Sequence, residues 1–380
     1  MRERYHWHTG NRVELLVDGE QFFPVMLQAI RQARDSLLLE FYMVSSGVVA
    51  SQFISALIEA AGRGVVVRWL VDDFGARRLR VSDSHALRAA GVELVRYNPI
   101  QIKKLQQNFS RDHRKLLVVD QQLAFIGGTG ISDEYMQSTT SSDAATASWH
   151  EIMLQVSGPV VADLLLLFSR VWQRCVADAS VLPALPAERN RPAGGDAMAK
   201  VSIVQGLSQQ DIKLSFIRHM GGAQQRIWLA TAYFLPSFAV RHNLRKAARR
   251  GVDVRVIVAG PCTDHRWIYH ASKRYYRRLL KAGVRIYEYQ PSFLHAKMAV
   301  CDQWVTAGSC NLDHWNLRWN LEANLEVVEP HFNQQVIALL NSDMQRSQEI
   351  TYAAWQNRPW SQKAKELIWS LISQVLLKIR

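Results

Sequence analysis

The sequence has no long apolar run. Nowhere do 18 or more apolar residues follow one another, and the N-terminal stretch MRERYHWHTGNRVELLVDGE holds no apolar core of signal-peptide length. Neither a membrane-spanning helix nor a secretory leader is therefore expected. Cysteine is scarce: four residues, at 175, 262, 301 and 310, with no CxxC spacing. That excludes a disulfide scaffold and suits buried thiols in a reducing compartment. Metal-ligand patterns are equally thin, because His6 and His8, or Cys262 with His265 and His270, lack a second pair at ligand spacing. No metal or other cofactor is expected. Acidic residues are outnumbered, 33 Asp and Glu against 46 Lys and Arg, for a formal charge of +13. An anionic partner follows, although a merely soluble basic surface gives the same count.

What is present is core-forming sequence and a duplication. With 380 residues, 48% hydrophobic and 12 Trp, the chain exceeds the size at which one core stops growing, so two domains are expected. Four blocks recur in the same order. SLLLEFYM (36–43), ALIEAAGRGVVVRWLVDD (56–73), LRAAGVELVRYNP (87–99) and HRKLLVVD (113–120) form the first set. RIWLATAYF (226–234), NLRKAARRGVDVRVIVAG (243–260), LLKAGVRIYEYQP (279–291) and HAKMAVCD (295–302) form the second. Apolar runs such as VVVRWLV suit buried strands, and the segments before them suit helices that end at Gly. Alternating strands and helices predict α/β halves with mostly parallel or mixed sheets. Such halves can pair about a pseudo-two-fold axis. The Pro-, Gly- and Ala-rich segment 178–200 is expected to link a first domain (1–177) to a second (201–350), followed by a tail (351–380).

The last block of each set carries chemistry. On an extended strand His113 and Lys115 share one face, as do His295 and Lys297. If the halves face each other there, two imidazoles and two ammonium groups converge. Such a site suits a phosphodiester: the lysines neutralise non-bridging oxygens, one His attacks phosphorus, and the other protonates the leaving alkoxide. Imidazole serves both roles because it titrates near neutral pH. Asp120 and Asp302, on the opposite strand face, are expected to hold the motif structurally. In GSCN (308–311) Ser309 and Asn311 can donate to phosphate, and Gly128 occupies the matching turn, GGTG. A carboxylate on Nδ1 would fix each ring, and Glu322 is expected to orient His295 while Glu151 orients His113. His150, beside Glu151, is expected to be a bystander.

The doubled HxKx4D followed by G(G/S)xN resembles the phospholipase D superfamily over residues of about 11 to 350. NRVELLVDGEQFFPVMLQAI, HRKLLVVDQQLAFIGG and GSCNLDHWNLRWNLEANLEV are similar to bacterial cardiolipin synthases, closest to the type lacking two N-terminal membrane spans. The resemblance implies two similar α/β/α sandwich domains related by a pseudo-two-fold axis, with the active site at their interface. It implies phosphatidyl transfer between two phosphatidylglycerol molecules through a phosphohistidine, releasing glycerol, with His113 as nucleophile and His295 as acid. The chain departs from the family pattern in three places. Gly130 replaces the usual Asn, Glu151 replaces the more usual Asp, and the gap from Asp302 to Gly308 is one residue shorter than that from Asp120 to Gly127.

Transfer rather than hydrolysis needs a lipid-facing, partly dry site. Two segments are expected to bind an anionic membrane surface. One is the tail KAKELIWSLISQVLLKIR (363–380), with Trp369 and apolar residues at helical spacing; the other is RWIYHASKRYYRR (266–278), with Arg266, Trp267, Lys273 and Arg274. A packed terminal helix and a solvated helix face are the plainer readings of the two. IQIKKLQQNFSRD (100–112) is expected to overhang the site and help admit lipid. A peripheral place on the cytoplasmic side of a bacterial inner membrane is expected, with no nucleic-acid or obligate protein partner. A phospholipase D hydrolase and a nuclease of the same superfamily remain alternatives.

Overall fold

The computed structural model describes residues 5–101, 107–136, 148–176, 193–311, 313, 319–360, 363 and 369. In the first half the strands are β1 (His8–Val17), β2 (Ser36–Phe41), β3 (Val66–Asp72), β4 (Glu93–Tyr97), β5 (Lys115–Val119), β6 (Leu123–Gly127) and β7 (Ile152–Ser157). The second half holds β8 (Ala197–Gln205), β9 (Gln209–Gln210), β10 (Arg226–Thr231), β11 (Asp253–Ala259), β12 (Arg285–Tyr289), β13 (Met298–Cys301), β14 (Trp304–Gly308), β15 (Leu321–Val328) and β16 (Ser347–Ile350). They join in the order β16-β12-β11-β10-β13-β14-β15-β8-β1-β7-β6-β5-β2-β3-β4, with β9 on β8.

Both halves are mixed sheets built on one plan. β2, β3 and β4 are parallel, as are β10, β11 and β12, and the strands carrying the two motifs run antiparallel beside them. Helices make the parallel connections, and they end where the sequence says. Gly64 and Gly251 share a φ of +90°, and each is followed by a valine whose N–H returns to the helix end, Val65 to Ala60 and Val252 to Ala247. β1 and β8 meet antiparallel at the seam, pairing His8 with Ala199 and Asn11 with Ala197. Ala197–Lys200, expected in the linker, are therefore already sheet; 178–192 lie outside the described residues.

Three cores result. One lies under the outer helices of the first half, built from residues such as Phe22, Phe53 and Trp69, and another occupies the same place in the second half around Phe216, Leu244 and Tyr276. The largest runs between the halves, where helices Val160–Cys175 and Pro330–Gln345 supply Leu164, Phe168, Trp172, Val336 and Leu340. This α/β/α layering leaves the polar ends of the strands to meet across the interface.

Two aspartates tie the motif strands into place. Asp120 accepts from the backbone N–H groups of Arg34, Asp35 and Ser36, and Asp302 accepts from those of Gln224, Gln225 and Arg226. Each sits in a left-handed turn, φ +49° and +52°. The one-residue difference in spacing is a turn length: Val119 pairs with Leu123, whereas Cys301 pairs with Trp304.

Candidate active site

The segment ending at His113 crosses the seam. Leu321 N–H donates to the Arg111 carbonyl at 2.9 Å, and His113 N–H donates to the Leu321 carbonyl at 3.0 Å. The mirror contact joins His150 to the second motif, with His295 N–H donating to the His150 carbonyl at 2.8 Å. Each motif is thus paired by backbone to the strand start of the opposite half. That exchange decides the carboxylates.

His113 Nδ1 lies 3.0 Å from Glu322, and His295 Nδ1 lies 2.5 Å from Glu151. The expected pairing within each half is therefore reversed: Glu322 orients His113 and Glu151 orients His295. The reason is topological, because each histidine precedes its strand in a segment that leans over the interface. Both glutamates are fully buried. Glu322 also accepts from Ser309 Oγ and Asn320 Nδ2, while Glu151 accepts from Ile152 N–H and Lys297 Nζ. Lys297 Nζ stands 2.8 Å from His295 Nδ1 as well. An ammonium and a ring N–H cannot donate to each other, so the carboxylate between them is the shared acceptor. Lys115 and Lys297 each donate to the carbonyl of the histidine two residues before them.

With Nδ1 committed to a carboxylate, Nε2 is the atom each ring offers. His113, Lys115 and His295 line a cavity of about 620 Å³. Aromatic side chains wall it: Tyr42 is edge-on to His113 at 4.8 Å between centroids, and Trp149 lies 5.0 Å from His295. Arg77, Arg78 and Arg111 line the first-half side, and Tyr233, Asp264 and Trp267 the second.

Charge in this cavity is poised for an anion. Burial, helped by the charges of Lys115 and Lys297, holds the His113 imidazole well below its ordinary value, and burial with Lys297 does the same to His295. Burial lowers Lys115 to about 7 and Lys297 in the same direction, and raises Glu322 to about 8. Lys297 does not line the cavity but stands behind His295. A phosphodiester bound beside Lys115 would therefore favour the charged forms of both lysines and return proton affinity to the imidazoles.

The other expected site residues divide. Ser309 supports Glu322, and Asn311 is fully buried with no hydrogen-bond partner for its amide among the described residues. Gly128 packs so closely that a Cβ would stand 2.2 Å from Glu151 Oε2, and at Gly130 it would stand 2.7 Å from the Met43 carbonyl. No side chain fits at either position without movement, which accounts for GGTG. Lys273 is not available to a headgroup: it is buried, with Nζ 2.7 Å from Tyr269 Oη and 3.4 Å from Glu288. Arg266 and Arg274 are exposed, and Trp267 lines the cavity. Trp369 stacks on His270 at 6.2 Å. The remainder of 364–380 lies outside the described residues, as do 102–106 of the expected overhang.

Sequence reading missed the support behind Glu151. His150 is no bystander: its Nδ1 is 2.8 Å from Asp18 and its Nε2 3.2 Å from Asp343, which belongs to the other half. Burial opposes a charged ring here, but the two carboxylates outweigh it and push His150 up to about 10. No local pattern reveals this triad, since its members are 132 and 193 residues apart.

Comparison with known proteins fits this geometry. The family model for the cardiolipin synthase phospholipase D-like domain matches residues 26–172 and again 216–344. The chain belongs to the cardiolipin synthase family. Cardiolipin synthase A of Pseudomonas putida (strain GB-1) is 34% identical over 371 residues, covering 97% of this chain and 76% of that protein. Cardiolipin synthase A of Pseudomonas syringae pv. syringae (strain B728a) is 34% identical over 354 residues, covering 90% and 70%. Among solved structures, phosphatidylserine synthase of Haemophilus influenzae Rd KW20 superposes with a TM-score of 0.72 over 96% of this chain and 93% of that one. At 13% identity that likeness shows the fold alone. As a member of the cardiolipin synthase family the chain is a phosphatidyltransferase of phospholipid synthesis. No helix among the described residues is long and apolar enough to cross a membrane.

Proposed function

We propose that the protein condenses two phosphatidylglycerol molecules to cardiolipin and glycerol at this cavity, on an anionic membrane surface at the cytoplasmic side of a bacterial inner membrane. One observation carries the reading: two imidazoles, each fixed at Nδ1 by a buried glutamate of the opposite half, present Nε2 to one aromatic-walled cavity. His113 Nε2 attacks the phosphorus of the first lipid, and the P–O bond to the headgroup glycerol breaks. His295 gives its Nε2 proton to the departing glycerol oxygen. Lys115 and Lys297 balance the charge that gathers on the non-bridging oxygens. Glu322 and Glu151 keep each ring in the tautomer it needs.

The second half runs in reverse. His295, now neutral, takes the proton of a primary hydroxyl on the second phosphatidylglycerol. That oxygen attacks phosphorus and releases His113. Water is the competitor, and the aromatic and aliphatic wall (Tyr42, Trp149, Leu235, Ile268) favours the lipid alcohol.

The test is mass spectrometry of lipids after incubation with phosphatidylglycerol vesicles, beside His113→Ala and His295→Ala. Cardiolipin and glycerol in equal amounts, absent from both variants, are expected. Phosphatidic acid alone would make the protein a hydrolase, and no lipid turnover would overturn the reading.

A further inference from the structure

Five exposed large hydrophobic side chains lie on segments that also contribute residues to the cavity wall or bond to them. Val48 (68% exposed), Phe74 (41%), Val81 (71%), Ile100 (54%) and Phe238 (67%) all lie in loops or first helical turns that follow a parallel strand. Val48 follows β2, Phe74 and Val81 follow β3, Ile100 follows β4, and Phe238 follows β10. Each is tied to the wall by chain position or by a hydrogen bond. Phe74 is part of it, while Val48, Val81 and Phe238 come three positions after the lining residues Ser45, Arg78 and Leu235. Ile100 N–H donates to Asp73, the neighbour of Phe74. Single exposed apolar residues are ordinary, but a group around one opening marks an interaction surface.

The same loops offer positive charge. Arg77, Arg80 and Arg266 are exposed, and none has a carboxylate partner among the described residues. The nearby carboxylates are engaged. Asp73 pairs with Arg96, Asp83 accepts from Ser46 Oγ, Asp133 caps Val48 and Val49, and Glu134 faces Arg78. Size points the same way. A cavity of about 620 Å³ suits a headgroup and cannot enclose the acyl chains of two phospholipids. The chains must stay in an apolar medium at the mouth.

We propose that this rim is the membrane-docking surface. Val48, Phe74, Val81, Ile100 and Phe238 enter the interfacial layer of an anionic phospholipid bilayer, and Arg77, Arg80 and Arg266 meet its headgroups. The cavity then opens onto the lipid it uses. This rests on reading the cavity as a phospholipid site, and it moves docking from segment 266–278 as a whole to a ring contributed by both halves.

The experiment compares the full chain with Val48→Ser/Val81→Ser/Phe238→Ser in flotation with mixed phosphatidylglycerol and phosphatidylcholine vesicles. Turnover is measured in parallel on vesicle lipid and on short-chain phosphatidylglycerol dispersed as monomers. The floated fraction and the vesicle turnover are expected to fall about tenfold, with monomer turnover within about twofold. Leu207→Ser/Leu214→Ser, equally exposed on other elements, is the control and should float like the parent. Arg80→Glu and Arg266→Glu should weaken flotation with anionic vesicles only. A triple variant that floats like the parent overturns the proposal, as does binding that high salt abolishes while the serine substitutions leave it untouched. If the parent floats but turns over neither lipid, the proposed reaction fails while the docking surface stands.

Discussion

The two halves share a backbone plan and differ in how they serve one reaction centre. In the second half the turn after the motif carries Ser309, whose hydroxyl donates to Glu322, the carboxylate that holds His113. In the first half that turn carries Gly128, with no space for a side chain, and Glu151 takes Lys297 directly at 3.3 Å while holding His295. His113 is the more open ring, with 13% of its side chain exposed against 7% for His295, which is packed by Trp149, Tyr135 and Phe293. Duplication thus supplied two copies of a half-site, and divergence around each glutamate made them unequal. The difference suits a nucleophile on one side and an acid on the other.

Removing the rings is expected to have the largest effect. His113→Ala and His295→Ala should each lower cardiolipin formation by about 10⁴-fold or more. A p-nitrophenyl phosphodiester separates their roles, because its leaving group needs no proton. Phosphohistidine should then accumulate in His295→Ala and be undetectable in His113→Ala; the opposite pattern would exchange the two assignments.

Next in size are the carboxylates, through which the crossing between halves becomes measurable. Glu322→Gln should slow formation of the phosphoenzyme by about 10²- to 10³-fold even with the activated ester. Glu151→Gln should spare that step and impair transfer from phosphatidylglycerol. Equal effects on both substrates would remove the asymmetry. Exchanging the turns tests it from the other side. Ser309→Gly, which removes a hydrogen bond, should cost about tenfold in kcat. Gly128→Ser, which drives an atom into Glu151, should cost about a hundredfold.

The seam itself is expected to show in stability. His150→Asn leaves Asp18 and Asp343 facing a neutral group and should destabilise the fold by about 3 kcal/mol at pH 6, read by chemical denaturation. Because the folded ring is raised to about 10, above its unfolded value near 6.5, its contribution is complete below about pH 6.5 and is lost as pH rises toward 10. The gap between parent and variant should therefore close in alkali. Asp302→Asn should have the smallest effect, about 1–2 kcal/mol with activity nearly intact, because its carboxylate accepts three backbone N–H bonds and faces no substrate. The backbone bonds hold Asp302 below the ordinary carboxylate range against the opposing pull of burial. Its share is therefore present above about pH 4 and is lost as pH falls through the lowered value.

Much of the architecture was legible before any fold was seen. Gly64 and Gly251 announce two helix ends because a left-handed residue there favours glycine, and the apolar runs after them suit buried parallel strands. Alternation along a strand puts His113 beside Lys115 and leaves Asp120 to anchor the turn. These are local properties, fixed by sterics and by period-two geometry.

The pairing of His113 with Glu322 across 209 residues is of another kind, and so are the His150 bridge, the burial of Lys273 against Glu288 and the apolar rim of the cavity. A duplicated sequence aligned on itself suggests partners at matching places within a half, and that logic paired each glutamate with the wrong ring. By itself the sequence determined the repeat, the strand and helix pattern and the chemical groups supplied. Only the tertiary structure decided which half completes which, because the motif segments lean across the seam, where Coulomb attraction and hydrogen bonding depend on distance in space and not on position along the chain.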